Sequence, residues 1–303
     1  MTSDVMRTTA EQRHRSVLAV PAGDNRKLSR ALASNADEVV IDLEDAVEVG
    51  SKDRARAHLV AALRELPAAV LDRVAVRINP ARSRWCHLDL AALIDLPVTP
   101  SSVVLPKVEG GGDMAFVDRL LDGLEARAPS GRRVGVQALI ETAAGLAAVH
   151  EAAGVAERLD ALVLGYADLS ASLRMPHGPA SRPDVWLPAQ HSLLVAARAA
   201  GVRAVDGPYL GVDVDAAFKA SVEQARILGF DGKWAIHPRQ LSVLNDTFSP
   251  TTEEVAHARA VLAALDEAAT SSGVGATRYK GQMLDEAVAV AARDVLRQAG
   301  ARR

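Results

Sequence analysis

Carboxylates and cations able to do chemistry gather at a few points in the chain, each at the end of a short apolar run. Asp42-Leu-Glu44-Asp45 follows one run, Arg77-Ile-Asn79 ends another, and Lys107-Val-Glu109 follows a third. Glu141-Thr142 comes next, then Tyr166-Ala-Asp168, Asp206 and His237-Pro-Arg239. Glu141 and Asp168 lie one strand–helix unit apart. Two carboxylates, completed by substrate oxygens and water, suit Mg2+, a hard ion that takes oxygen ligands in octahedral geometry. The competing reading is structural: acids favour helix N-termini, so Glu141 would open a helix and Asp168 would cap one. Arg77, inside an apolar run, needs a partner or a cavity. Its fork of donors suits a carboxylate or enolate oxygen. It would equally close an internal ion pair with Asp42, Glu44 or Asp45, and the two readings are compatible.

These groups need a scaffold that delivers them to one place. Eight runs read as buried parallel strands: 16–21, 38–43, 74–78, 102–106, 134–140, 161–165, 202–206 and 233–236. Helical patterns lie between them, as at 112–128, where Val117, Leu120, Leu121 and Leu124 share a face. Eight such units predict an α/β fold, a closed (β/α)8 TIM barrel, with catalytic groups at the C-terminal ends of its strands. An open doubly wound sheet would show a glycine-rich first turn, and Pro21-Ala-Gly-Asp24 is not GxGxxG. The barrel is expected over 15–249, after a flexible N-terminus at 1–14. Residues 250–303 are expected to form a C-terminal helical extension. There a helix at 252–269 precedes a Ser/Gly linker at 270–275. A last helix would carry Leu284, Ala287, Val288, Ala291 and Val295 on one face. It is either a lid or arm reaching a neighbour, or a helix packed on its own barrel.

Composition narrows the function classes. The 303 residues carry 35 basic and 38 acidic side chains, a net charge of −3, which argues against a general nucleic-acid surface. Aromatics at 3% argue against base stacking, and 49% hydrophobic residues fit a globular protein. The single cysteine, Cys86, excludes an internal disulfide and reads as a core thiol. No apolar stretch reaches the roughly 18 residues of a membrane span, and Met1 to Arg15 lacks the apolar core of a signal peptide. A cytoplasmic location follows as the expectation. The histidines show no metal-site spacing, and neither GxSxG nor HExxH occurs.

Longer segments carry a resemblance. They are Arg15-Ser-Val-Leu-Ala-Val-Pro21, the run from Ala36 to Val47 containing Asp42-Leu-Glu-Asp45, Val76-Arg-Ile-Asn79 and Leu105-Pro-Lys-Val-Glu109. Ala138-Leu-Ile-Glu-Thr142, Leu164-Gly-Tyr-Ala-Asp168, Trp234-Ala-Ile-His-Pro-Arg-Gln240 and Lys280-Gly-Gln-Met-Leu-Asp285 follow in order. On these the chain resembles the citrate lyase β-subunit-like branch of the HpcH/HpaI aldolase family, the group containing malyl-CoA and citramalyl-CoA lyases. The resemblance implies a barrel with a C-terminal extension, assembled as a trimer or hexamer. It implies Glu141 and Asp168 as ligands of Mg2+, with Mn2+ as the alternative ion. It makes Arg77, beside Glu141, the residue that grips the acid or enolate substrate. Glu44 and Asp45 would hold metal-bound waters, and Asp285 would be the base on a lid that reaches a neighbouring subunit's site. The implied reaction cleaves a 3-hydroxyacyl-CoA thioester into acetyl-CoA, or a homologue, and a 2-oxo acid. The CoA phosphates call for cations near the rim, and Arg15, Arg26 and Lys27 flank the first strand and its helix. A thioesterase using the same site, and a citrate lyase β-type subunit working with an acyl-carrier partner, are the alternatives; the lid segment favours a free-standing enzyme. Two departures from the family pattern stand out: Pro21-Ala-Gly23 where Pro-Gly is usual, and a Pro-rich insert at 175–186 that bears on substrate identity.

Overall fold

The computed structural model describes residues 14–128, 130–176, 183–272, 277–279 and 281–300. Residues 14–245 form one compact unit, and the described residues from 246 onward belong to another. In the first unit eight parallel strands close a barrel in chain order. They are β1 (Ser16–Pro21), β2 (Glu38–Asp42), β3 (Val74–Arg77), β4 (Ser102–Leu105), β5 (Gly135–Ile140), β6 (Leu159–Leu164), β7 (Arg203–Asp206) and β8 (Gly232–Ala235). Each boundary falls within two residues of the expected run. Val17 beside Trp234 closes β1 onto β8.

Side-chain alternation along these strands decides which groups reach the interior. The inner core takes Val17, Val40, Ala75, Val104, Leu139, Val163, Val205 and Trp234, one from each strand. Asp42, Arg77 and Glu141 stand two residues beyond Val40, Ala75 and Leu139, so they share the inner face at the C-terminal end. Asp206 and Lys233 adjoin Val205 and Trp234 and therefore turn outward, toward the helices. Both are fully buried there. Asp206 accepts from Lys233 Nζ, from the Tyr166 hydroxyl and from Gln190. Asp206 thus ties the helix Tyr166–Ser172 to the sheet and leaves the mouth of the barrel to other residues.

In the second unit the helix Thr252–Ser272 is followed by an antiparallel pair, β9 (Thr277–Tyr279) and β10 (Gln282–Leu284), and by the helix Glu286–Gly300. Gly281, at φ +84°, takes the left-handed conformation that the reversal between β9 and β10 requires. Ala258, Val261, Leu284 and Ala292 form the centre of this unit, with Leu265, Val288 and Val295 against them. Two expectations need correction. Thr270 to Ser272 are helical rather than linker, the last residues of the helix Thr252–Ser272, and the Thr270 hydroxyl bonds the Asp266 carbonyl one turn back. The buried face of the last helix carries Ala289 and Ala292, while Ala287 and Ala291 are exposed. Residues 1–13, Lys280, 273–276 (which include the end of the expected linker) and 177–182 of the insert lie outside the described residues. No helix among the described residues is long and apolar enough to cross a membrane.

Candidate active site

Asp42, the last residue of β2, organises the mouth of the barrel. Its Oδ1 accepts from the backbone N–H of Glu44 at 2.8 Å and from Arg77 Nε at 2.7 Å. Its Oδ2 accepts from the Ala46 N–H at 3.0 Å and from Arg77 Nη2 at 2.6 Å. One carboxylate therefore shapes the loop after β2 and clamps the guanidinium on β3 in a two-pronged pair. Below the same loop, Lys52 Nζ donates to the carbonyls of Leu43 at 3.0 Å and Glu44 at 2.7 Å.

That loop presents Glu44 and Asp45. Arg77 Nη1 lies 3.2 Å from Glu44 Oε2 and 3.5 Å from Asp45 Oδ2. Lys107, on the loop after β4, reaches the same pair, bonding Glu44 Oε1 and lying 3.5 Å from Asp45 Oδ1. Its Nζ is also 3.1 Å from Asp168 Oδ2, and its backbone N–H donates to Glu141 Oε1 at 3.0 Å. Glu141 and Asp168, from the residue after β5 and from the helix after β6, thus converge on Lys107. A close approach of the two strand ends makes this possible. A Cβ on Gly165 would lie 2.6 Å from the Glu141 Cβ and 2.8 Å from its Oε2, so only glycine fits between Glu141 and that helix.

The electrostatics follow from burial and crowding. Asp42, Glu44, Asp45, Glu141 and Asp168 face Arg77, Lys107 and, beneath the loop, Lys52. Fully ionised, this set carries two more negative charges than positive, the deficit that one divalent cation would balance. Burial first, and then the charge of Glu44, lift the Glu141 carboxyl to about 8, with Arg77 pulling the other way. Burial also raises Glu44, against the pull of Arg77. Lys107 moves above the usual lysine value, because Glu44 and Asp168 outweigh its partial burial. Among the described residues no three histidine, cysteine or acidic side chains converge as a complete metal cage. The donor set fits an ion held by two protein carboxylates and completed by substrate and water, as a hard oxygen-seeking cation is.

The sequence-expected residues divide into those the barrel gathers and those it does not. Arg77, Glu141, Asp168, Glu44 and Asp45 meet at one end. Arg26 and Lys27 are exposed in the first turn of the helix Asn25–Leu32, which follows β1, where Asp24 caps by accepting from the Lys27 N–H. Arg15 is corrected. It precedes β1 at the opposite end of the barrel and is forked onto Asp37 at 2.7 Å through both Nε and Nη2. It cannot serve a phosphate at the rim where β1 ends. Asp285 stands in the second unit, where it caps the last helix by accepting from the Val288 N–H at 3.2 Å. Cys86 is buried, and burial pushes its thiol up to about 12, which makes it a core residue. His237 caps the turn Pro238–Gln240.

From sequence, Asp42 is an ion-pair candidate for Arg77, as it proves to be, while Lys107, Lys52 and Gly165 carry no functional reading. Asp42 lies in the same segment as Glu44 and Asp45, and strand parity is the signal that turns it inward. Lys52 offers no local signal, since a lysine opening a helix is ordinarily solvated.

A family model described as HpcH/HpaI aldolase/citrate lyase matches residues 15–238. An L-malyl-CoA/beta-methylmalyl-CoA lyase of Cereibacter sphaeroides is 35% identical over 283 residues, covering 88% of each chain. The citrate lyase subunit beta of Escherichia coli is 34% identical, covering 94% of this chain and 93% of its own. Among solved structures, the protein CitE of Mycobacterium tuberculosis in complex with magnesium, acetoacetate and coenzyme A is 30% identical. It superposes with a TM-score of 0.76 over 96% of this chain and 99% of that one.

Proposed function

Because the chain belongs to the HpcH/HpaI aldolase/citrate lyase family, a family of lyases, we propose that it cleaves a carbon–carbon bond in a 3-hydroxyacyl-CoA of the malyl-CoA or citramalyl-CoA type. The products are acetyl-CoA, or a homologue, and a 2-oxo acid. The observation that carries this reading is the clamped Arg77 guanidinium gathered with the Glu141 and Asp168 carboxylates, through Glu44 and Lys107, at one end of the barrel.

Glu141 and Asp168 would hold Mg2+, which when bound supplies Lewis-acid polarisation of the 2-oxo acid oxygen. Arg77 has five N–H donors. Asp42 takes two of them, and Glu44 and Asp45 face the two on Nη1, so the second N–H of Nη2 remains for a substrate carboxylate or for the oxygen that gains charge as the bond breaks. Since Asp42 already fixes the guanidinium, its orientation does not change as that charge develops. Glu44 and Asp45 are placed to accept from water at the ion. Removal of the hydroxyl proton needs a base, and Asp285 is assigned that role from a neighbouring subunit of a trimer or hexamer, its segment closing over the mouth to exclude water. Arg26 and Lys27 are assigned to the CoA phosphates.

The test is product analysis. The purified protein is incubated with Mg2+ and malyl-CoA, citramalyl-CoA or β-methylmalyl-CoA; 2-oxo acid is read as its hydrazone and free thiol with a chromogenic disulfide. One 2-oxo acid per thioester consumed, with no free CoA, is the expected result. Free CoA without 2-oxo acid would show a thioesterase, and neither product from any of the three esters would overturn the substrate class.

A further inference from the structure

Two cations serve the mouth of the barrel, and they are held in opposite ways. Arg77 is clamped through Nε and Nη2 by one buried carboxylate, and its side chain is 13% exposed. Lys107 is 34% exposed, and its ammonium sits on an unbranched stem that can turn without moving the backbone. Its backbone is unusual: φ is +52°, and among the described residues only Arg174 is a second non-glycine with positive φ. A left-handed conformation at a bulky residue costs on the order of 1 kcal/mol and is kept where something depends on it. Here it goes with two contacts made by one residue. The N–H holds Glu141 Oε1 at 3.0 Å, while Nζ lies 3.1 Å from Asp168 Oδ2, 3.5 Å from Asp45 Oδ1 and against Glu44.

An ammonium and a divalent cation compete for the same oxygens, and both cannot be next to Asp168 at close range without strong repulsion. We propose that Lys107 is a resident counter-ion: its ammonium occupies the place of the divalent cation and leaves Asp168 when that ion binds, so that Lys107 sets the ion's affinity. This rests on the metal reading given above. The division of labour within the residue is what makes it workable. The backbone N–H keeps Glu141 in position whether or not the side chain has swung away, so the ligand does not relax when the ammonium departs. The exposed stem gives the ammonium somewhere to go, whereas the Arg77 guanidinium has no such freedom. Without the ion, the ammonium is the mobile positive charge set against Glu44, Asp45 and Asp168 among the described residues.

The role is tested by calorimetric titration of Mg2+ into the full-length, EDTA-stripped protein, with no substrate present, so that the readout is independent of turnover. Lys107→Met should bind Mg2+ about tenfold or more tightly than wild type, because the competing charge is gone. Lys107→Arg, which keeps a cation, should bind no more tightly than wild type. A purely structural lysine predicts the reverse for Lys107→Met, since loss of a scaffold contact weakens binding. Circular dichroism checks the fold of each variant, and Lys107→Gln replaces Lys107→Met should the latter fail to fold. Equal or weaker Mg2+ binding by the folded neutral variant would overturn the counter-ion role and leave the metal reading intact. Absence of Mg2+ and Mn2+ binding by wild type and variants alike would overturn the metal reading itself.

Discussion

Asp42→Asn isolates the device that holds Arg77 still. The carboxylate makes four hydrogen bonds, one backbone N–H and one guanidinium N–H at each oxygen. An asparagine side chain has one acceptor oxygen and one donor nitrogen. Whichever way the amide turns, one N–H of Arg77 and one backbone N–H of the loop face a donor. Breaking a buried ion pair by removing one partner costs about 3–5 kcal/mol. Glu44 and Asp45 remain within 3.5 Å of Arg77 to share its charge, so the low end, about 3 kcal/mol, is expected. For a barrel of this size that lowers Tm by roughly 6–12 °C. The assay is a thermal melt of four proteins: wild type, Asp42→Asn, Arg77→Met and the double variant. If the pair is the source of the loss, Asp42→Asn should cost much less in the Arg77→Met background, with a coupling of about 2 kcal/mol or more. Turnover by Asp42→Asn should also fall, because Arg77 loses its fixed orientation. A melt within about 1 °C of wild type, or the same loss in both backgrounds, would refute the clamp.

Further expectations concern the site and the core. Glu141→Ala or Asp168→Ala should each abolish Mg2+-dependent activity, and excess EDTA should do the same to wild type; full activity in EDTA contradicts the metal assignment. Arg77→Lys should lower kcat/KM sharply, since an ammonium cannot span both Asp42 oxygens while facing substrate; a wild-type value would make Arg77 purely structural. Asp285→Asn should fold normally, because asparagine also caps a helix, yet lose about 10²–10⁴ in kcat as the proposed base. Mixed with Arg77→Ala, it should regain part of the activity through hybrid sites; none despite subunit exchange proved by mass spectrometry would remove Asp285 from a neighbour's site. Cys86 should resist iodoacetamide at pH 8 in the native protein and react once unfolded. Its folded pKa lies above the ordinary thiol value, so it is neutral in both states at low pH. Stability should therefore decline as pH rises above about 8.5, where only the unfolded chain ionises. Rapid native alkylation would show that Cys86 is not buried.

Strand positions were legible in the chain because buried parallel strands are short aliphatic runs, and their limits depend mainly on neighbouring residues. The order of eight runs, each trailing polar groups, was enough to place Glu44, Asp45, Arg77, Glu141 and Asp168 at one end of a barrel. Local pattern was also sufficient to read Cys86 as a core thiol. Other features depend on contacts that no window of sequence contains. Arg77 meets Asp42 across 35 residues and Lys107 meets Glu44 across 63, so their pairing exists only once the barrel closes. Arg15 precedes the first strand, so chain order already sets it at the end away from the mouth; what the closed barrel adds is its partner, Asp37. Asp206 looked like one more acid at the mouth until strand parity turned it outward to Lys233. Gly165 is required only because Glu141, from another strand, lies where its Cβ would be. Composition and periodicity determine which segments become strands and helices, since those depend on local burial and backbone preference. Which charges neutralise each other, and which remain free for chemistry, is decided by distances that tertiary closure alone sets.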